Sequence, residues 1–390
     1  MKADVVIIGG GFAGISAAFF LSKHVSVVLL ERESSLGTQS SARSAEQFTV
    51  GISANTMRPL GQASRAFLEN PPPGFTEQGL LSPRGCLTVG RAEQADRLQT
   101  LHDRIAGVGA GVRMVSRDEA LDLFPALLPD EVDIGVYEPG AADIDADALL
   151  QGYVRGAKAQ GAQFVTAAAV LAIRKVGAAW SLETTAGPVE ASMILNAAGA
   201  WVDEVAALAG LRPLGLRPMR RTAFTFAAPV EPDTSHWPFV SNVDYKWYLK
   251  PETGRFMGSL AEEVLTPPGD VYPDDLDVAQ AIHNIEQETT LQVGRPLSTW
   301  AGLRNFVADR NPVLGARSGA EGFFWLAGHG GCGVLSSPAM GQAAAAILLE
   351  QELPEALRAF GVSPADLSPD RPTLATAVHP AAASARSTQA

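Results

Sequence analysis

The sequence predicts an α/β fold: a discontinuous Rossmann-like dinucleotide-binding domain joined to an α+β domain with an antiparallel sheet. Three observations lead there. The apolar run Asp4-Val5-Val6-Ile7-Ile8 enters Gly9-Gly10-Gly11-Phe12-Ala13-Gly14, a strand feeding a Gly-x-Gly-x-x-Gly turn. Polar and apolar residues alternate over 221–227 and 247–250, as in antiparallel strands with one face toward a pocket. The last third then returns to the style of the first: an apolar strand at 323–327, a glycine-rich turn at 328–333 and a helix at 336–349.

Taken in order, Gly9 allows the tight turn, Gly11 lets a pyrophosphate approach the backbone, and Gly14 lets the helix at 15–21 pack closely on the sheet. The first turn of that helix offers free N–H groups and a positive dipole end. A second strand, 25–30, ends at Glu31, about 20 residues after the glycines, where an acid hydrogen-bonds a ribose diol and repels a 2′-phosphate. The motif by itself serves FAD and NAD alike. Pro71-Pro72-Pro73-Gly74 breaks the chain, and Thr266-Pro267-Pro268-Gly269-Asp270 marks a surface loop. Residues 145–156 read as a helix, 163–173 as strands, 180–184 as a meander strand leading to 193–196, and 275–291 as an amphipathic helix. Ser337 is the expected N-cap of the last helix, with Pro338 at its first position. Residues 368–390, rich in Pro, Ala, Ser and Thr, read as a disordered tail. The expected division is 1–80 with 141–212 and 298–360 in the nucleotide domain, and 81–140 with 213–297 in the second.

Composition narrows the function. The 390 residues are 46% apolar, ample for a core, yet hold no run of the roughly 18 apolar residues that a membrane helix needs. The N-terminus enters its first strand without a signal-peptide layout, so a cytoplasmic protein, or one peripheral to the membrane, is expected. A net charge of −12 and no basic run beyond the cluster at 217–221 argue against nucleic acid. Cys86 and Cys332 stand apart without His or Cys companions at ligand spacing, so neither a disulfide framework nor a metal site is expected.

Several segments together resemble FAD-dependent amino-acid oxidoreductases, the family of D-amino acid oxidase, glycine oxidase and sarcosine oxidase. They are GGGFAG with Glu31, Ser41-Ala42-Arg43-Ser44-Ala45, Asn196-Ala197-Ala198-Gly199-Ala200-Trp201, Trp300-Ala301-Gly302-Leu303-Arg304, and the turn and helix over 327–341. Further stretches (SRAFLENPPPGF, LLSPR, 141–149, LAGLRPLGLRP and YLKP at 248–251) are most similar to bacterial D-arginine dehydrogenases. The resemblance implies FAD, with Gly9, Gly11 and Gly14 at the pyrophosphate and Glu31 and Arg32 at the adenosine ribose. It implies Val170 at adenine, and Ser41, Arg43, Ser44, Ala45, Ala198 and Gly199 along the linker and flavin edge. Gly330, Gly331, Gly333, Val334 and Leu335 would run beside the pyrimidine side of the ring, where a helix dipole stabilises negative charge. Sarcosine oxidases attach flavin through a cysteine in the segment corresponding to 304–306; this chain has Asn305 there, so noncovalent FAD is expected.

The same resemblance implies hydride transfer from a substrate Cα to flavin N5, chiefly a matter of positioning. Arg304 would grip the α-carboxylate bidentately, Tyr248 would donate a further hydrogen bond, and Arg221 would add a polar contact. Where D-arginine dehydrogenases carry an acid for the substrate guanidinium, this chain has Gly85 and Cys86, and their lid histidine and tyrosine become Gln47 and Ile52. A buried cationic head would then lack compensation, so a small or apolar side chain is expected. His329 and Cys332 complete the expected substrate pocket. The implied reaction is oxidative deamination of a D-amino acid, with oxygen or a quinone as electron acceptor. The alternatives are oxidation of a sarcosine- or glycine-type amine and service as the flavin-carrying subunit of a larger dehydrogenase.

Overall fold

In the computed structural model, which describes residues 1–51 and 56–376, the first strand is Lys2–Ile8, and Val5, Val6 and Ile7 within it are fully buried. It pairs in parallel with Val27–Leu30 on one side and Val189–Asn196 on the other. Gln163–Val165 and Phe323–Ala327 extend the parallel array at its two ends. Apolar helices cover the sheet, so the central strands are apolar on both faces, as parallel sheets require. An antiparallel meander of Val170–Val176 and Ala179–Thr184, with Val313–Ala316, completes eight strands.

The helix after the first strand is Phe12–Leu21. Gly9 holds φ +111, and a Cβ at Gly14 would overlap the Gly9 carbonyl oxygen, so only glycine lets this helix start so close to the strand. The helix Gly333–Leu348 lies alongside it, joined by Met57–Glu69 and Ala146–Ala159. Asp145 caps the last of these by accepting from Ala148 N at 2.8 Å. Phe19, Phe67, Phe75 and Tyr153 interlock between the helices with ring centroids 5.1–6.3 Å apart.

The second sheet has nine strands, from Val264–Leu265 at one edge to Arg113–Ser116 at the other. Arg217–Ala227 runs antiparallel to Ser298–Phe306 over nine residue pairs. That strand, expected within the nucleotide domain, therefore belongs to the second sheet, because its alternating face is buried there. A third, three-stranded antiparallel sheet pairs Gln47–Phe48 and Leu81–Pro83 with Ala142–Ile144.

Two further expectations change. The helix expected at 336–349 begins at Gly333 with Cys332 as its N-cap, so Ser337 and Pro338 lie inside it. Pro338 has no N–H for the Val334 carbonyl one turn back; Ser337 Oγ donates to that carbonyl instead, at 2.9 Å. The stretch expected to be a tail from 368 is ordered through its described part. Arg371, 7% exposed, bonds Asp309 through Nε (2.7 Å) and Nη2 (2.8 Å) and also reaches the Asn311 and Pro312 carbonyls. Residues 377–390 lie outside the described part.

Candidate active site

A cavity of about 390 Å³ runs between the two sheets. One end is built by the first strand–turn–helix unit. Gly9, Gly11, Glu31, Arg32, Val170, Ala198 and Gly199 line it, beside Trp201 and Glu204. Glu31 Oε2 accepts from Gly10 N at 2.6 Å and Oε1 from Glu33 N at 2.8 Å, which fixes the carboxylate at the mouth of the turn. The Arg32 guanidinium stacks 4.1 Å over the Trp201 ring. A Cβ at Gly11 would press on Ser41 Oγ, at 3.1 Å, so the glycine keeps room between the turn and the strap.

The middle is a strap, the short 3₁₀ turn Ser40–Arg43. Ser41 Oγ accepts from Phe12 N at 3.1 Å, Ser40 Oγ donates to the Leu303 carbonyl at 2.7 Å, and Arg43 Nη1 donates to the Ala301 carbonyl at 3.0 Å. The strap thus ties the nucleotide turn to the strand that carries Arg304. Ser41, Arg43 and Ser44 line the cavity. Ala45 does not; its carbonyl accepts from the buried Lys250 Nζ at 2.8 Å.

The far end is one face of the nine-stranded sheet. Side chains two apart on a strand share a face. Arg221 pairs with Gly302 and Met219 with Arg304, so Arg221 and Arg304 are diagonal neighbours on one surface. Ala223, Met257 and Tyr248 lie on that surface too, and all five residues other than Met219 line the cavity. The intervening Phe224, Phe226, Phe256 and Leu249 point the other way, into an apolar core.

Arg304 is half-buried, and among the described residues no side-chain hydrogen bond or ion pair engages its guanidinium. It lies 3.0 Å from where a Cβ on Gly331 would sit, so the glycine at φ +90 makes room for it. Arg221 is buried. Its Nε donates to the Glu262 carbonyl at 3.1 Å and its Nη2 to Glu263 at 3.3 Å, while Nη1 is buried without a partner. Burial, and secondarily the charge of Arg304, push the Arg221 pKa down. Tyr248, 2% exposed, is stacked between Phe239 (5.2 Å) and Tyr245 (5.8 Å).

The turn and first residues of the helix Gly333–Leu348 close the cavity with His329, Gly330, Gly331, Gly333 and Val334. Burial pushes His329 down to about 4, so the imidazole is neutral at neutral pH, and its Nε2 has no partner. Leu335 turns away from the cavity, toward Gly61 of Met57–Glu69.

Three expected pocket residues are displaced from it. Cys86 is buried in the cluster behind Tyr248 and Phe239, and burial raises its thiol pKa far above the usual range. Gln47 is buried on the three-stranded sheet opposite Asp143. Cys332 packs half-buried against the helical core. Ile52 lies outside the described residues. At Gly85 a Cβ would come within 2.6 Å of the Tyr137 hydroxyl, so this position has no room for an acid. Asn305, Met257 and Trp201 line the cavity but were not among the expected site residues. Asn305 Oδ1 is buried without a partner. Met257 reaches this face through cross-strand register, opposite Thr225 and Lys250, which no local pattern encodes, and nothing local marks Trp201.

A family profile described as FAD dependent oxidoreductase matches residues 4–347. Glycine oxidase of Geobacillus kaustophilus (strain HTA426) is 26% identical over 387 residues, covering 94% of this chain and 97% of the relative. Mitochondrial dimethylglycine dehydrogenase of Rattus norvegicus is 25% identical over 379 residues, covering 90% of this chain and 44% of the relative. The crystal structure of the Geobacillus kaustophilus glycine oxidase superposes with a TM-score of 0.79 at 25% identity, covering 90% of this chain and 95% of that one. L-proline dehydrogenase from P. horikoshii shares the fold, with a TM-score of 0.80 at 21% identity over 90% of this chain and 95% of that one. The broad resemblance read from the motifs agrees with these relatives; the narrower one, to D-arginine dehydrogenases, is not specific. FAD fits the cavity observed: an open glycine turn with an acid at one end, and at the other two unpartnered buried polar atoms, Asn305 Oδ1 and His329 Nε2.

Proposed function

The chain belongs to the FAD-dependent oxidoreductase family, and we propose that it oxidises the carbon–nitrogen bond of a small amino acid, by preference a D-amino acid with a small or apolar side chain. The product is an imino acid, which water converts to a 2-oxo acid and ammonia. The observation that carries this reading is the pair of guanidiniums on one sheet face beside Tyr248: among the described residues Arg304 has no side-chain partner and Arg221 has a buried, unpaired Nη1. FAD, when bound, supplies the two-electron oxidant.

In this reading the eight-stranded sheet and its helices hold the cofactor, with the glycine turn, Glu31, Ser41, Arg43 and Val170 along it. The second sheet supplies the substrate face. Arg304 grips the carboxylate through its fork of donors, Arg221 Nη1 takes a remaining lone pair, and the Tyr248 hydroxyl fixes the tilt. Holding the carboxylate this way presents the α-carbon at reacting distance, and such positioning is the main work required of the protein. Ala223 and Met257 leave an apolar, modest space for the side chain, and no carboxylate among the lining residues of this end would compensate a cationic one. His329 is neutral and so does not repel an amine. The N-terminus of the helix Gly333–Leu348 lies on the cavity and favours negative charge there. FAD is noncovalent in this account, since Asn305 lines the cavity where sarcosine oxidases carry the attaching cysteine, and oxygen or a quinone takes up the electrons.

Similarity to dimethylglycine dehydrogenase favours a second reading, oxidation of an N-alkyl amino acid. An anaerobic panel of D-, L- and N-methyl amino acids separates the two. Bleaching of the yellow protein fastest by a small D-amino acid supports the first. Faster bleaching by N-methyl forms supports the second, and no bleaching by any member contradicts both.

A further inference from the structure

We infer that Glu263 is a positioning residue for substrate recognition: anchored from the solvent side by Arg310, it holds Arg221 so that its free Nη1 faces the carboxylate. The inference rests on the functional reading above.

Arg221 has a side chain only 6% exposed and a second guanidinium, Arg304, nearby. An ion removed from water without a counter-charge is destabilised by several kcal/mol. Two acids lie within reach, and they are not equivalent. Glu262 offers Arg221 its backbone carbonyl, while its carboxyl accepts from Thr222 N, leaves Oε2 buried without a partner, and has its pKa raised by burial. Glu263 is the counter-ion. Its Oε1 receives both Arg221 Nη2 (3.3 Å) and Arg310 Nη2 (2.8 Å), and its Oε2 receives Arg310 Nη1 (2.9 Å). Burial opposes its ionisation, but the Arg310 hydrogen bond and charge, together with the charges of Arg221 and Arg304, hold its carboxyl below the usual range.

Arg310 is itself held. It stacks 3.7 Å over the ring of Phe306, two residues beyond Arg304 on the same strand. Its backbone sits in the left-handed region, φ +61, in a turn closed by its N–H on the Val307 carbonyl at 2.9 Å. A non-glycine residue is rarely found there unless its surroundings impose it. A surface Arg–Glu pair alone contributes little. This one reaches inward to a buried guanidinium on the cavity wall, so its effect falls on substrate binding.

The test uses the FAD-loaded enzyme and Glu263→Gln, Glu263→Asp and Arg310→Gln variants. Two quantities are read: steady-state kinetics with the best amino acid of the panel, and the Kd of propionate, a carboxylate without an amine, from its perturbation of flavin absorbance. Glu263→Gln is expected to raise KM and the propionate Kd about tenfold while kcat changes less than about twofold, as loss of one charge-assisted contact would do. Glu263→Asp recovers part of this. Arg310→Gln moves both constants in the same direction by a smaller factor, and decides the matter if Glu263→Gln fails to hold FAD. An unchanged propionate Kd in the folded variants, or a fall in kcat at constant KM, overturns the inference. If no amino acid reduces the wild-type flavin, the functional reading fails on its own, and the propionate Kd still tests Glu263.

Discussion

At the scale of single residues, the groups that meet in the cavity owe their properties to burial. His329 is the clearest case. Its folded pKa, about 4, lies below the unfolded value of 6.5, so as pH falls the unfolded chain takes up the proton first. The sign follows: His329 has no effect on stability above about pH 6.5 and weakens the fold progressively between 6.5 and 4. Comparing wild type with His329→Asn by urea unfolding checks this, because buried acids with raised pKa values, such as Glu138 and Glu262, titrate in both proteins and cancel. The difference in unfolding free energy should shift toward the variant from pH 7 to 4; a constant difference contradicts it. Arg304 and Tyr248 lie in segments that carry the family resemblance and Arg221 in the alternating stretch 221–227, and the structure brings the three to one face of the second sheet. Cys86 and Gln47 were placed in the pocket by correspondence with D-arginine dehydrogenases, and positional likeness does not fix side-chain packing: one is buried in the cluster with Tyr248 and Phe239, the other on the three-stranded sheet.

At the scale of elements, the first strand–turn–helix was readable almost residue by residue, because its glycines are required by close approach of backbone to backbone. The start of the helix Gly333–Leu348 was not. Ser337-Pro338 carries the chemistry of a helix start, yet the glycine turn is tight enough for the helix to begin at Gly333. Inside the helix the serine substitutes for the donor that proline lacks, and Tyr153 Oη meets Ser337 Oγ at 3.2 Å. Ser337→Ala is therefore expected to destabilise the protein by about 1–3 kcal/mol, the range for a buried polar group left unpaired. Adding Pro338→Ala restores a backbone donor to Val334, so the double variant should melt above Ser337→Ala. If the single variant melts like wild type, or the second change lowers stability further, the account of this helix is wrong.

At the scale of the whole molecule, the proposed function depends on two sheets meeting: one builds a glycine turn, the other a face with two guanidiniums, and the strap at 40–43 joins them. Alternation in the sequence foretold the antiparallel face. The pairing of Ser298–Phe306 with the second sheet, and the docking of Arg371 on Asp309, are contacts across 62 residues or more that no local pattern encodes. No described helix is long and apolar enough to cross a membrane. The central claim is that the cavity captures an acid group beside the oxidant. Rapid anaerobic mixing of wild type and Arg304→Ala with the best amino acid and with its decarboxylated amine tests it most directly. The account predicts that the amino acid bleaches the wild-type flavin, and that Arg304→Ala needs about a hundredfold more of it for half-saturation. The amine should be a poor reductant of both. An amine that reduces the wild type as well as the amino acid does, with saturation unchanged in Arg304→Ala, would contradict it.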